Sequence, residues 1–150
     1  MSAIDWLRDI GKHFSVSRML AMESAVVLYD RDCGLCTWSA ERLRAWDGRR
    51  ERLRFVPLQS PEADELLSEM DRVRRFASWH VVAGGEVRSA GAAAAPVLRL
   101  LPGGWPLAWL AERLPRTTEL VYRWVTARRE HLGAMLGREA CAVDPSRPRA

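Results

Sequence analysis

The sequence predicts an α/β fold, and three local patterns carry that prediction. Residues 26–29 (VVLY) have the apolar, β-branched character of a buried strand, and residues 37–46 carry apolar side chains at helical spacing. Residues 53–58 alternate like a second strand. Residues 79–89 contain two short strand-like segments around the Gly-Gly pair at 84–85, where glycine accepts the positive φ of a tight hairpin turn. We therefore expect a helix-linked parallel half followed by an antiparallel hairpin half.

Helices complete this arrangement. Ser60 and Pro61 supply an N-cap and a first-turn proline, which predict a helix that extends to about Arg75. The resulting order is β-α-β-α-β-β-α with additional C-terminal helices, which is the thioredoxin-like three-layer fold. Three further helices are expected, at residues 91–101, 107–114 and 117–132.

The chain predicts one domain with short flanking segments. With 150 residues and 48% hydrophobic content, it can bury a core without disulfides or metals. Residues 1–24 are predicted to be an N-terminal extension, in which 4–15 have the spacing of a short amphipathic helix. Residues 25–135 form the thioredoxin-like domain. Residues 136–150 are rich in Pro and Arg and are expected to be a disordered tail.

Charge and cysteine content narrow the partners and the compartment. The net charge of +4 comes from 22 Arg against a single Lys, and the basic stretch 41–54 holds six Arg but also three acids. Such a mixture is typical of a solvated helix face rather than of a nucleic-acid-binding surface. Acids interrupt the N-terminus where a signal peptide is apolar, uncharged runs are too short for a membrane span, and three cysteines do not make a secreted framework. We expect a cytoplasmic protein, and its oligomeric state does not follow from the sequence.

The stretch DRDCGLC, residues 30–36, lies where the first strand meets the first helix. This position puts Cys33 at or just before the helix start and Cys36 in its first turn, with Cβ atoms about 5–6 Å apart. A modest adjustment brings such a pair within disulfide reach. Backbone N–H groups at a helix N-terminus stabilise a thiolate, so Cys33 is the expected nucleophile. Cys36 is then the resolving thiol, which releases the reduced substrate.

Charged neighbours bear on the acidity of this pair. Arg31 would stabilise a Cys33 thiolate, whereas Asp32 would oppose one unless its carboxylate caps the helix. Asp30, at the end of a buried strand, has two interpretations that the sequence leaves open. It can take a proton from Cys36 during attack, or both aspartates can simply satisfy backbone amides of the turn.

Four segments, in order along the chain, resemble a known family. They are YDRDCGLC, LRFVPLQSPEADELL, SWHVVAGGEVRSAGAAAAPVLRLLP and VYRWVTARR, and they span about residues 25–132. Together they resemble the DCC family of predicted thiol-disulfide oxidoreductases. The resemblance implies a small thioredoxin-like domain whose redox pair is Cys33 and Cys36, preceded by the family aspartates at Asp30 and Asp32. The expected substrate is a protein or small-molecule thiol or disulfide, with no cofactor beyond the redox-active disulfide.

Two positions depart from the pattern of the family and its fold. Arg31 stands where relatives usually have glycine, so a turn that needs positive φ there would be strained or rebuilt. Ser78, directly before Trp79, stands where thioredoxin-like enzymes generally carry a cis-proline that faces the cysteines and presents backbone to the substrate. Ser78 is therefore the expected substrate-facing residue. Its identity leaves protein-disulfide binding open and leaves room for a metal.

Metal binding is the first alternative function. Zinc takes four nitrogen or sulfur ligands, and the cysteine pair supplies two of them at suitable spacing. The sequence has no second Cys-x-x-Cys and no His-x-x-x-His to complete the set, so this hypothesis stays secondary. The remaining ligand candidates are His80, His131 and Cys141.

A non-catalytic interaction module is the second alternative. Trp105, Trp109 and Trp124 fall in C-terminal helices that a minimal thioredoxin fold lacks. As a group, these rings are a candidate face for a protein partner or a membrane surface. Aromatic residues at helical spacing usually belong to a core, so we expect these rings to cover one face of the sheet.

Overall fold

The computed structural model describes residues 24–137. The helix predicted for residues 4–15 lies outside the described residues, as does the chain from residue 138 onward, which includes Cys141. Between residues 24 and 137, no helix is long and apolar enough to cross a membrane.

Four strands form a mixed sheet at the centre of the domain. β1 (Ala25–Tyr29) pairs in parallel with β2 (Leu53–Pro57) and antiparallel with β3 (His80–Ala83). A Gly-Gly turn at 84–85 joins β3 to β4 (Glu86–Ser89), and both glycines have the positive φ that this turn requires. The strand order is β2-β1-β3-β4. The predicted parallel half and hairpin half are both confirmed.

Alternate residues of the central strand face opposite helical layers. Val27 packs with Val81 and Val97 on one face of the sheet, and Leu28 packs with Val56 on the other. Each of these side chains is at most 4% exposed. Burying one such side chain contributes about 1.5–3 kcal/mol, so both faces of the sheet supply the core. A sheet covered by helices on both faces is the predicted thioredoxin-like three-layer fold, which is confirmed.

Seven α-helices and two 3-10 turns, Gly48–Arg50 and Ala90–Ala93, accompany the sheet within residues 24–137. The first helix begins at residue 34 rather than at 37, because Cys33 serves as its N-cap. The helices are α1 Gly34–Asp47, α2 Pro61–Leu66, α3 Arg72–Ala77, α4 Ala94–Leu100, α5 Trp105–Arg113, α6 Pro115–Ala127 and α7 Arg129–Met135.

Two predicted helices are each divided in the structure, so those predictions are wrong. The helix expected over residues 60–75 is replaced by α2 and α3, since the carboxylate of Asp71 accepts a hydrogen bond from the Arg74 amide at 3.0 Å and starts a new helix. The helix expected over 117–132 is replaced by α6 and α7. These are separated at Arg128, whose φ of −107° lies outside the helical range. After this break, α7 packs against α1.

The tryptophans of the C-terminal helices do not cover the sheet. Trp105, Trp109 and Trp124 are 63%, 48% and 53% exposed. The prediction that these rings cover one sheet face is therefore wrong. That face is covered by α4 instead, which buries Val97 and Leu100 against the sheet.

His80 is buried at the start of β3, and both of its ring nitrogens are occupied. Nε2 donates to the backbone carbonyl oxygen of Arg75 at 2.8 Å, and Nδ1 accepts from the Ser89 hydroxyl at 2.6 Å. Burial lowers the pKa of His80 below its usual value. His80 is thus a structural residue, and neither nitrogen is open to a metal.

We expect the domain to lose stability as the pH falls below about 6.5, the ordinary pKa of histidine. In the unfolded chain His80 titrates near its ordinary pKa of about 6.5, whereas in the folded chain it stays neutral to lower pH. The unfolded state therefore binds more protons below that value, so this stabilisation is present above about pH 6.5 and is lost below it. Thermal unfolding of His80→Gln should show a flatter pH dependence than the wild type. His131→Gln, a change at an exposed histidine, should keep the wild-type slope, and equal slopes in all variants would contradict the prediction.

Candidate active site

The predicted dithiol lies at the carboxyl end of β1, where the chain turns into α1. Cys33 is the N-cap residue of α1, with extended φ and ψ of −97° and 114°. Its sulfur accepts a hydrogen bond from the backbone amide of Cys36 at 3.4 Å, the contact that a serine or aspartate oxygen makes at most helix starts. The predicted strand-to-helix junction is confirmed, and the two cysteines lie close together.

The two cysteines differ in burial. Cys33 is 1% exposed, and Cys36 is half-buried. Cys36 is a free thiol. Both residues line the same cavity, so the pair faces this cavity.

Cys36 is a weak acid in its surroundings. Burial and the nearby carboxylate of Asp30 raise the pKa of its thiol to about 11, although Arg129 and a hydrogen bond with the Asp30 backbone oppose the rise. A thiol with this pKa is almost entirely protonated at neutral pH. Cys36 therefore needs a base to become a nucleophile at that pH.

Asp30 is a buried carboxylate that organises the turn between β1 and α1. Its Oδ1 accepts hydrogen bonds from the Asp32 amide at 3.0 Å and from Nε2 of Gln59 at 2.6 Å. Gln59 also donates to Oδ2 of Asp32 at 3.3 Å and accepts from the Arg31 amide at 3.2 Å. Asp30 thus satisfies a turn amide and also adjoins the Cys36 thiol. The hydrogen bond to the turn amide is therefore seen, and the role of Asp30 as a proton acceptor stays a prediction.

The backbone of Arg31 does not adopt the left-handed conformation, with positive φ, that the glycine of relatives would allow. Within residues 24–137, Glu51 and Ala90 are the only non-glycine residues with positive φ, so the turn is rebuilt around Arg31 rather than strained. The Arg31 side chain is 64% exposed, and its Nε lies 4.0 Å from Oδ1 of Asp32. Solvent and Asp32 therefore weaken its effect on Cys33. Asp32 does not cap α1, because Cys33 does.

Ser78 lies in extended backbone directly before β3, with φ of −153° and ψ of 170°. No peptide bond between residues 24 and 137 is cis. Tyr122 of α6 hydrogen-bonds to the Ser78 side chain and to the Trp79 backbone, and burial raises the pKa of its hydroxyl. The C-terminal helices therefore cover the position at which thioredoxin-like enzymes generally present a cis-proline.

A cavity of about 440 Å³ opens beside the cysteines. Its walls come from α1, from the α3–β3 junction, and from α6 and α7. Apart from the charged residues Asp30, Arg42 and Arg129, most of its lining is aromatic or aliphatic. The main apolar lining residues are Trp38, Trp46, Phe76, Trp79, Tyr122 and Val125.

Three residues of the site were not predicted from the sequence: Gln59, Tyr122 and Arg129. Gln59 has a sequence signal, since it follows β2 closely and the carboxyl ends of adjacent parallel strands lie side by side. No local pattern places Tyr122 or Arg129 near the cysteines. Their positions depend on how the C-terminal helices fold back over α1 and β3.

The residues proposed as zinc ligands are not brought together in the described part of the chain. Within residues 24–137, no group of three His, Cys, Asp or Glu side chains is arranged to hold a metal. Both nitrogens of His80 are hydrogen-bonded, His131 lies exposed on α7, and Cys141 is outside the described residues.

This fold and site define a thioredoxin-like domain with a Cys-x-x-Cys pair at a helix N-terminus. A family model described as DCC1-like thiol-disulfide oxidoreductase matches residues 27–134. The match covers well over half of the chain, and the protein belongs to this family. The predicted resemblance is confirmed.

Two curated proteins are similar over a short stretch. The tyrosine–tRNA ligase of Methylocella silvestris is 55% identical over 29 residues, and that of Beijerinckia indica subsp. indica is 59% identical over 29 residues. The matched stretch is 19% of this chain and spans only 7% of the length of either ligase, so it carries no argument about function. No solved structure matches the chain.

Proposed function

We propose that the protein is an enzyme that exchanges thiols and disulfides through Cys33 and Cys36. The observation that carries the proposal is the hydrogen bond from the Cys36 amide to the Cys33 sulfur at the start of α1. It puts that sulfur where the helix N-terminus stabilises negative charge. Membership of the DCC1-like family points to the same chemistry. The reaction needs no cofactor beyond the disulfide itself.

The two sulfurs act in sequence. The Cys33 thiolate attacks one sulfur of a disulfide substrate, the S–S bond breaks, and the first half leaves as a thiolate that takes a proton. Cys36 then gives its proton to a base and attacks the Cys33 sulfur, which expels the second half and forms a Cys33–Cys36 disulfide. Asp30 is the proposed base, because its carboxylate adjoins Cys36. Counted from the dithiol form, whose Cys33 first releases its proton to solvent, the enzyme loses two electrons and two protons, and the substrate becomes two thiols.

We expect Cys33 and Cys36 to form a reversible disulfide with each other when they are the only cysteines of the chain, as in Cys141→Ser. This protein should contain no titratable thiol when oxidised and then denatured, and two when reduced. Equilibration with reduced and oxidised glutathione, followed by alkylation and mass spectrometry, gives the reduction potential. That potential says whether the protein acts as a reductant or as an oxidant.

The relative reactivity of the two thiols gives an internal control. In reduced Cys141→Ser protein, Cys33 should alkylate faster than Cys36 at neutral pH, since the pKa of Cys36 is about 11. Two thiols that persist in oxidising buffer would contradict the proposal, and so would equally slow alkylation of Cys33 and Cys36.

The exposed tryptophans favour a second candidate function, a non-catalytic interaction module. Trp105, Trp109 and Trp124 are each about half exposed or more, and large exposed apolar side chains often mark interaction surfaces. The two functions are separable. Partner binding by such a module would survive serine at both Cys33 and Cys36 and would weaken in Trp124→Ser, whereas disulfide exchange would show the reverse pattern.

A further inference from the structure

The C-terminal helices close the approach that an extended peptide would use. The hydroxyl of Tyr122 is bonded to the Ser78 side chain and to the Trp79 backbone. Val125 and Arg129, one and two turns further along the chain, continue the same wall beside the cysteines. The side of the dithiol at which thioredoxin-like enzymes bind substrate backbone is therefore lined by α6 and α7, which leaves less room for a substrate strand.

What is left open to solvent is the cavity itself. Its volume of about 440 Å³ lies within the range of about 300–1,000 Å³ that small-molecule sites typically have. The rings of Trp38, Phe76 and Trp79 contribute to an apolar lining, and the two cysteines lie in its wall. An apolar ligand of this size would leave few polar groups of the protein without a partner, whereas a highly charged one would be desolvated at a cost.

We infer that this cavity selects small apolar disulfides, aromatic or branched aliphatic, over protein disulfides and over charged small disulfides. The inference rests on the proposed exchange function and names the substrate class of the same site. The apolar half of the substrate lies against the rings, and its sulfur meets Cys33. Arg42 and Arg129 both line the cavity, and Arg129 lies close enough to Cys36 to lower the pKa of its thiol, so a carboxylate on an otherwise apolar substrate is tolerated there.

The chemistry balances without a further reagent in one turnover. Reduced protein and one disulfide give oxidised protein and two thiols, so the substrate is the oxidant and the Cys33–Cys36 pair is the reductant. In a steady-state assay, an added dithiol such as dithiothreitol restores the pair and is itself oxidised to its cyclic disulfide.

The test compares single-turnover rates of pre-reduced Cys141→Ser protein with three disulfides. These are 4,4′-dithiodipyridine, oxidised glutathione and insulin, each normalised to its rate with free dithiothreitol to remove differences in intrinsic reactivity. Burying one ring contributes about 1.5–3 kcal/mol, so the normalised preference for the aromatic disulfide should be about tenfold or more.

A pair of matched variants assigns this preference to the cavity. Val125→Phe fills the cavity from α6 without adding charge, and Val121→Phe makes the same change one turn away, at a position that is 57% exposed. Val125→Phe should lose most of the normalised preference for the aromatic disulfide. Val121→Phe should behave like the parent. Thr126→Phe, also in the lining, replaces Val125→Phe if thermal unfolding shows that the latter does not fold.

The outcomes separate the inference from the function on which it rests. A normalised aromatic preference that falls in Val125→Phe and persists in Val121→Phe supports the inference. Equal normalised rates for the three disulfides, or a faster rate for insulin, overturn the inference and leave the exchange function standing. No acceleration over dithiothreitol with any of the three disulfides overturns both.

Discussion

Replacing Cys33 with serine is expected to abolish disulfide reduction, and replacing Cys36 with serine is expected to stop the reaction at a mixed disulfide. The first change removes the attacking sulfur, so we expect a loss of at least about a thousandfold in turnover. The second leaves attack intact but removes the thiol that expels the second half of the substrate. Intact mass spectrometry without reductant should then show Cys36→Ser protein heavier by one substrate half.

Loss of folding is not expected to confound this result. Serine is one of the favoured N-cap residues, so Cys33→Ser keeps an acceptor for the Cys36 amide at the start of α1. The thermal unfolding midpoint of Cys33→Ser should therefore stay close to that of the parent. Activity that survives both replacements would exclude the exchange mechanism and would favour the interaction module.

Replacing Asp30 with asparagine is expected to slow the release step while making Cys36 more acidic. The negative charge of Asp30 is one cause of the raised pKa of Cys36, so its removal lowers that pKa. The same change removes the proposed base, and general-base catalysis typically contributes about a hundredfold or more. An asparagine oxygen still accepts the bonds from Gln59 and the Asp32 amide, so the turn is kept.

The two effects of Asp30→Asn are read by separate measurements. The pH dependence of Cys36 alkylation should move to lower pH, and the release of a chromophoric thiol preloaded on Cys33 should slow by about tenfold to a hundredfold at neutral pH. Asp64→Asn removes one negative charge from the exposed surface of α2 and should change neither readout. A release rate that rises together with the acidity of Cys36 would show that Asp30 only satisfies the turn.

Features encoded by neighbouring residues were predictable from the sequence. The junction of β1 and α1 follows from an apolar strand, a polar turn and helical spacing within about 20 residues, and the hairpin follows from its Gly-Gly turn. The positions of Cys33 and Cys36 at the start of α1 therefore follow from local sequence alone. Their roles as nucleophile and resolving thiol remain predictions.

Features that depend on packing between distant segments were not predictable in the same way. The division between α2 and α3 depends on whether the Asp71 carboxylate caps a new helix or stays in solvent. The helical spacing of apolar residues is the same in both cases, so it does not predict the division. The exposure of Trp124 and the contact between Tyr122 and Ser78 depend on the direction of α6 relative to the sheet. Spacing along one helix shows that an apolar face exists, but it does not show what covers that face.

The sulfur cap of α1 links the redox state of the domain to its stability. Under the proposed function, the Cys33 thiolate of the reduced protein interacts favourably with the first amides of α1, and this interaction disappears when the sulfur enters a disulfide. By thermodynamic linkage, any free energy by which the helix N-terminus stabilises the reduced, folded protein makes the disulfide form less stable relative to it by the same amount. The reduction potential of the pair is raised accordingly. Under the proposed function, the hydrogen bond at the start of α1 therefore contributes both to the stability of the domain and to its reduction potential.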